Sequence, residues 1–189
     1  MSESIRTFIA IELTDPVRAE IARIEDTLKG KGGDIRWVRP ENLHLTLKFL
    51  GDVEPEQIAK VEEGVRVAVQ ECPPFELVLS GAGAFPNPQR PRVIWVGIRE
   101  EGEKLRRVYR SIQHQLFRRR FPKEKKRFSP HLTVGRVRSP RGIEPVTEAL
   151  QSLEVTPLTM AVEEIVVMRS DLYPTGPVYT QQAVAQLSG

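Results

Sequence analysis

The tripeptide His-Leu-Thr occurs twice in this chain, within NLHLTLKFLG (42–51) and SPHLTVGR (129–136). In both stretches apolar residues alternate with the histidine and the threonine, a pattern typical of a β-strand with one buried face. The chain has only three histidines, so chance is a poor explanation for two of them standing in the same phrase. The sequence therefore predicts two similar strands, each with a histidine and a threonine on one face.

The segments around these strands predict an α+β protein. Apolar residues recur at helical spacing in 14–32, 55–71, 101–121 and 143–153. Alternating β-branched and aromatic residues predict further strands, at 4–13, 34–38, 75–81, 92–98, 160–172 and 177–187. The glycine- and proline-rich stretch 82–92 is predicted to be a loop. The order strand, helix, motif strand, helix occurs approximately twice, which suggests two related α+β halves in one compact body.

Charge and cysteine content restrict the setting in which the protein works. The net charge is only +3, but the sequence pI is about 9.2 and 20 arginines stand against 8 lysines. Arginine suits phosphate recognition, although a merely soluble basic protein would have a similar composition. The single cysteine excludes an internal disulfide framework. The apolar run near the N-terminus is too short for a signal peptide or a spanning helix, so we expect a cytoplasmic protein without a membrane partner.

Two histidines on equivalent strands predict acid–base chemistry. No spacing typical of a zinc site is present, so we expect no metal. In transfer at phosphorus, the attacking oxygen loses a proton and the leaving oxygen gains one, and two imidazoles supply both functions. Thr46 and Thr133 would donate hydroxyl hydrogens to the phosphate oxygens; for either threonine alone, strand propensity would be a sufficient explanation.

The motifs resemble those of the two-histidine phosphoesterase superfamily. The resemblance lies in HLTLKFLG and HLTVGR, with RTFIAIEL near the start, FPNPQRPRVIWVGI between them and GPVYTQQ near the end. Within the superfamily the chain is most similar to the RNA 2′,3′-cyclic phosphodiesterases, historically called 2′-5′ RNA ligases. The resemblance implies a single bilobal α+β domain over 1–189, with one motif per lobe (44–46 and 131–133). Antiparallel sheets of two pseudo-symmetric lobes would line a central groove, with helices outside.

The same resemblance implies a reaction. A terminal RNA 2′,3′-cyclic phosphate would be hydrolysed to a 2′-phosphate without any metal or nucleotide cofactor. By the family's pattern, His44 is the general acid that protonates the leaving 3′-oxygen, and His131 is the general base that activates water. With a 5′-hydroxyl in place of water, the same chemistry would be a reversible, ATP-independent 2′-5′ RNA ligation. The expected partner is RNA with a cyclic phosphate end, and no obligate protein partner is predicted.

Further residues are expected to bind the substrate. Arg136 resembles a phosphate-binding arginine of the family, but strict alternation puts it on the face opposite His131, so a bend at Gly135 would have to re-aim it. Lys48 shares the predicted face of His44 and would meet the RNA backbone.

A basic segment and an aromatic residue complete the expected RNA contacts. RRRFPKEKKRF (118–128) has seven basic residues and one acidic residue, which predicts an electrostatic track for RNA through Arg118, Arg119 and Arg120. Phe8 would stack on a terminal base or line the groove.

Two other functions stay open at this point. One is a phosphodiesterase for a small cyclic nucleotide or sugar phosphate, against which the basic segment argues. The other is a non-catalytic RNA-binding module, against which the presence of both complete motifs argues.

Overall fold

The computed structural model describes residues 3–189. Its strands are β1 (Ile5–Glu12), β2 (Asp34–Trp37), β3 (His44–Val53), β4 (Phe75–Phe85), β5 (Val93–Glu100), β6 (His131–Ser139), β7 (Thr159–Val162), β8 (Glu164–Tyr173) and β9 (Gly176–Gln186). Its α-helices are α1 (Asp15–Lys29), α2 (Pro55–Val69), α3 (Lys104–Arg118) and α4 (Glu144–Gln151), and a short 3₁₀ helix spans Pro40–Asn42.

The strands form two antiparallel sheets. The first has the order β3-β1-β8-β9 and the second the order β2-β6-β5-β4-β7. The first motif therefore begins an edge strand of one sheet, and the second motif begins an interior strand of the other. Cα atoms of β3 and β6 come within 8 Å of one another, so the motif strands lie side by side where the sheets meet. The predicted α+β class with two antiparallel sheets is confirmed.

The helices cover the sheets in pairs. α1 packs against α4, which contacts β4, and α2 packs against α3 and contacts β8 and β9. The predicted apolar stripes of α1 and α3 are buried, with at most 1% of each side chain exposed: Val17, Ile21, Ile24, Leu28, Leu105, Val108, Ile112 and Leu116. Burial of each contributes about 1.5–3 kcal/mol. Within residues 3–189, none of the helices is both long and apolar enough to cross a bilayer.

Two strand boundaries differ from those expected. The single strand predicted over 160–172 is two strands in different sheets, since β7 pairs with β4 and β8 pairs with β1 and β9. The adjacent Glu163 and Glu164 interrupt the alternation between β7 and β8, and the single-strand prediction overlooked this break. The predicted loop 82–92 begins later, because 82–85 continue β4 and pair with β5. Ladder hydrogen bonds there outweigh the low strand propensity of its glycine and alanines.

The chain crosses repeatedly between the two sheets. β1 lies in the first sheet, β2 in the second, β3 in the first, β4 to β7 in the second, and β8 and β9 in the first. The two halves suggested by the repeated order of elements are therefore interwoven in space, and each sheet contains strands from both ends of the chain.

Candidate active site

The two motif histidines have the same local environment. Each is the first residue of its strand. The Nδ1 atom of His44 lies 2.8 Å from the carbonyl oxygen of Asn42, and Nδ1 of His131 lies 2.7 Å from that of Ser129. A carbonyl oxygen only accepts a hydrogen bond, so Nδ1 carries the hydrogen in both rings. Nε2 is then the atom that can accept or give a proton, and the two strands present equivalent groups.

Aromatic side chains hold both imidazole rings in place. The ring of His44 packs against Phe8, with centroids 4.7 Å apart, and makes a T-shaped contact with Tyr179, with centroids 5.2 Å apart. The ring of His131 meets the edge of Phe85 at 5.0 Å. Phe8 is only 3% exposed. Phe8 therefore packs against His44 and supports its ring. The expectation that Phe8 would stack on a base is wrong, because its ring is buried.

His44 differs from His131 in its electrostatic setting. Burial lowers the pKa of His44 to about 4, against the hydrogen bond with the Asn42 carbonyl, which favours protonation, and with a smaller lowering by the charge of Arg18. His44 is therefore neutral at pH 7.

This lowered pKa predicts a pH-dependent contribution to stability. The unfolded chain binds a proton at His44 near pH 6.5 and the folded chain near pH 4, so protons favour the unfolded state in that window. The contribution of neutral His44 to the free energy of unfolding is fully present above pH 6.5. It is lost as the pH falls toward 4, and the total loss is up to about 3 kcal/mol. His44→Gln should flatten the fall in unfolding free energy between these pH values in urea titrations. Equal pH slopes for wild type and variant would contradict the assignment.

Each motif strand has a β-bulge directly after its threonine. In the pairing of β1 with β3, Ala10 is opposite Thr46 but Ile9 is opposite Lys48, which leaves Leu47 as an extra residue. In the pairing of β5 with β6, the residue left over after Thr133 is Val134. One extra residue reverses the alternation of side chains beyond it.

The bulge in β6 turns Arg136 toward the motif face. Trp95 is opposite Thr133, and Val93, two residues earlier, is opposite Arg136. Residues two apart on a strand share a face, so Arg136 lies on the same face as Thr133 and its side chain is exposed. A Cβ at Gly135 would lie 2.9 Å from a methyl carbon of Ile35. Glycine at this position leaves room for Ile35 and Trp37, and the bulge beside it re-aims Arg136 as the expected bend would.

The bulge in β3 has the opposite consequence for Lys48. Its side chain turns to the core face and is 4% exposed. Its Nζ donates hydrogen bonds to Gln113 Oε1 at 2.9 Å and to the Pro122 carbonyl oxygen at 2.7 Å. Lys48 thus connects β3 to the segment that follows α3. It is not at the groove mouth, contrary to the expectation from strict alternation.

Phe49 takes the place expected for Lys48. It is opposite Phe8 in the pairing of β1 with β3, so it lies on the motif face, and it is 57% exposed. The sequence analysis missed Phe49 because strict alternation, without a bulge, places its side chain on the buried face. Alignment of HLTLKF with HLTVGR would have indicated it, since Phe49 occupies the position of Arg136.

The remaining expected site residues fall into two groups. Thr46 and Thr133 are half-buried and lie two residues after their histidines, on the same face. Arg118 and Arg120 are exposed at the end of α3. Arg119 is half-buried and donates hydrogen bonds to the backbone and side-chain oxygens of Gln115, so its guanidinium is already engaged.

Other chemically versatile side chains lie outside this site. His114 is exposed on α3, as expected. Cys72 is buried, and burial raises the pKa of its thiol, which disfavours the nucleophilic thiolate. In the part of the chain that the structure describes, no three His, Cys, Asp or Glu side chains are grouped so as to hold a metal ion. No candidate metal ligands can therefore be named.

Comparison with known proteins identifies the family to which this chain belongs. The family model described as LigT-like phosphoesterase matches twice, over residues 11–95 and 96–179. An RNA 2′,3′-cyclic phosphodiesterase of Methanothermobacter thermautotrophicus is 40% identical over 186 residues, covering 97% of this chain and 99% of that protein. A Thermus thermophilus structure superposes with a TM-score of 0.81 at 30% identity, covering 98% and 99% of the two chains. Escherichia coli LigT in complex with 3′-AMP superposes with a TM-score of 0.77 at 26% identity, covering each chain fully. The chain belongs to the LigT-like phosphoesterase family.

Proposed function

We propose that this protein hydrolyses the 2′,3′-cyclic phosphate at the end of an RNA to a 2′-phosphate. The observation that carries the proposal is the pair of equivalent imidazoles, each with Nδ1 bonded to a backbone carbonyl, at the start of two neighbouring strands. Relatives named RNA 2′,3′-cyclic phosphodiesterase support the substrate, at 31–40% identity over most of the chain.

The proposed reaction uses the Nε2 atoms of both histidines. His131 Nε2 accepts a proton from water as the water oxygen bonds to phosphorus. His44 Nε2 donates a proton to the 3′-oxygen as the P–O3′ bond breaks, which leaves a 2′-phosphate and a free 3′-hydroxyl. The Nδ1–H of each ring donates to its carbonyl in either protonation state, so the rings keep their orientation throughout. Thr46, Thr133 and Arg136 would stabilise the negative charge on the non-bridging oxygens.

The bound substrate must change the charge state of His44. With a pKa of about 4 in the free protein, His44 is neutral before the substrate arrives. A cyclic phosphate is an anion, and an opposite charge within about 4–6 Å favours the protonated imidazole. The substrate would thus create the acid that cleaves it. If a 5′-hydroxyl replaces water, His131 accepts its proton as the P–O5′ bond forms and His44 protonates the leaving 3′-oxygen, which gives a 2′-5′ phosphodiester; by microscopic reversibility the two rings exchange roles when that linkage is cleaved again.

Three exposed side chains are the proposed contacts with the RNA chain. Arg118 and Arg120 offer positive charge ahead of the second motif. Phe49 offers an open ring on the motif face, on which a base can stack.

The proposal is tested by incubating the protein with a short RNA ending in a 2′,3′-cyclic phosphate, with EDTA present. The expected product is the 2′-phosphate isomer alone, which chromatography resolves from the 3′-phosphate. A 3′-phosphate product would contradict cleavage of the P–O3′ bond, and loss of activity in EDTA would contradict metal-free catalysis.

A further inference from the structure

Two arginines lie directly opposite each other beside the second motif. In the pairing of β2 with β6, Arg36 is opposite Arg136. Opposite residues of an antiparallel pair share a face, with Cβ atoms about 4.5–5.5 Å apart, and like charges there destabilise the pairing. Arg36 is therefore on the same groove-facing side as Arg136, and both are exposed.

No carboxylate within the described part of the chain offsets this repulsion. Across residues 3–189, neither Arg36 nor Arg136 has an acidic side chain within ion-pair distance. Other exposed arginines of the chain do form such pairs, for example Arg66 with Glu63 at 2.7 Å. An unrelieved pair of like charges on one face is a site suited to anions.

The arginine pair extends toward the first motif. Nη2 of Arg36 lies 3.2 Å from the position that a Cβ on Gly176 would occupy, so its guanidinium reaches the β8–β9 hairpin of the other sheet. Burial raises the pKa of Tyr179, and the charges of Arg136, Arg6 and Arg36 oppose that rise. Since Tyr179 contacts the ring of His44, the positive charge borders the reacting groups.

The two arginines stand on different strands of the second sheet. Arg136 is on the motif strand β6 itself. Arg36 is on the adjacent edge strand β2, on the side of β6 that faces away from β5. Adjacent strands are about 4.8 Å apart. A single cyclic phosphate held between the histidines can meet Arg136 while leaving Arg36 without an anion.

We propose that Arg36 binds the phosphodiester that precedes the terminal cyclic phosphate, and that it thereby selects an RNA chain over a cyclic mononucleotide. This inference rests on the proposed function. One phosphate then faces each arginine, and the repulsion between Arg36 and Arg136 becomes attraction for two consecutive phosphates. A mononucleotide has only the reacting phosphate and gains nothing from Arg36.

The test compares two substrates with the same terminal base, an RNA tetranucleotide ending in a 2′,3′-cyclic phosphate and the cyclic mononucleotide. Arg36→Gln should lower kcat/KM for the tetranucleotide about 10- to 100-fold, mainly through KM, and leave the mononucleotide within about twofold. Arg36→Lys should keep part of the preference. The control Arg107→Gln removes one exposed charge from the outer helix α3 and should change neither substrate. Equal losses on both substrates, or no loss on either, would overturn the inference.

A binding measurement separates this inference from the proposed function. Affinities are measured for the tetranucleotide and the mononucleotide that already carry a 2′-phosphate, so no turnover is required. Arg36→Gln should weaken tetranucleotide binding alone and reduce the magnitude of its salt slope by about 0.7, the value for one phosphate of a single strand. If wild type hydrolyses neither cyclic substrate, the proposed function fails, and this binding difference still decides the role of Arg36.

Discussion

Replacing either His44 or His131 by alanine should lower kcat for hydrolysis of an RNA 2′,3′-cyclic phosphate by about 10²- to 10⁴-fold. Each variant lacks one of the two Nε2 atoms through which protons move, while the backbone carbonyl that oriented the ring stays in place. Because the two rings act in one step, the double variant should lose much less than the product of the single losses. Single-turnover rates at saturating protein measure these losses without interference from product release.

His114→Ala is the matched control, since it removes an exposed imidazole of the same chain from α3 and should retain the wild-type rate. Circular dichroism of each variant checks that the sheets are intact. Full activity in one motif variant alone would refute the paired acid and base roles and reduce the mechanism to a single imidazole, and full activity in both would remove the histidines from the chemistry.

Arg136→Gln should lower kcat/KM about 10- to 100-fold, on the cyclic mononucleotide as well as on RNA. The variant keeps a polar side chain but shortens it and removes the charge that the bulge at Val134 directs to the motif face. A hydrogen bond to a charged group contributes about 1.5–3 kcal/mol, which corresponds to this range. The loss on both substrates distinguishes Arg136 from Arg36, whose effect is confined to RNA.

The control for this prediction is Arg138→Gln, two residues along the same strand and also exposed. Steady-state kinetics on the mononucleotide should show wild-type values for Arg138→Gln and partial activity for Arg136→Lys. If Arg136→Gln and Arg138→Gln behave alike, the position of Arg136 beside the second motif has no special role.

Local pattern predicted much of this fold, and long-range pairing accounts for what it missed. The apolar stripes of α1 and α3 and the two motif strands follow from periodicities of 3.6 and 2 residues, and the structure has them where they were expected. Which sheet a strand joins depends on partners far away in sequence. The assignment of β7 and β8 to different sheets therefore has no local signal.

In the candidate site, too, local sequence predicted some residues correctly, whereas the orientation of others depends on pairing with distant strands. His44 and His131 were predicted because their tripeptide is repeated, and Arg136 because it resembles a phosphate-binding arginine of the family and follows a glycine at which the strand could bend. Lys48 and Phe49 exchange faces through a bulge that depends on the register with β1, and one shifted residue reverses every assignment beyond it. Phe8 was predicted to line the groove. In the structure the rings of His44 and Tyr179 cover it, and these long-range contacts cannot be seen in the sequence.

The four passages of the chain between the two sheets set a limit on how the enzyme can move. Lobes joined by one linker can swing apart about a few backbone torsions. Here a clamshell opening would have to stretch four connections together and separate β3 from β6. The spacing of the two imidazoles is therefore fixed when the chain folds and is already in place when a substrate diffuses in. Turnover should then be limited by bond cleavage or by RNA dissociation, and not by opening and closing of the groove.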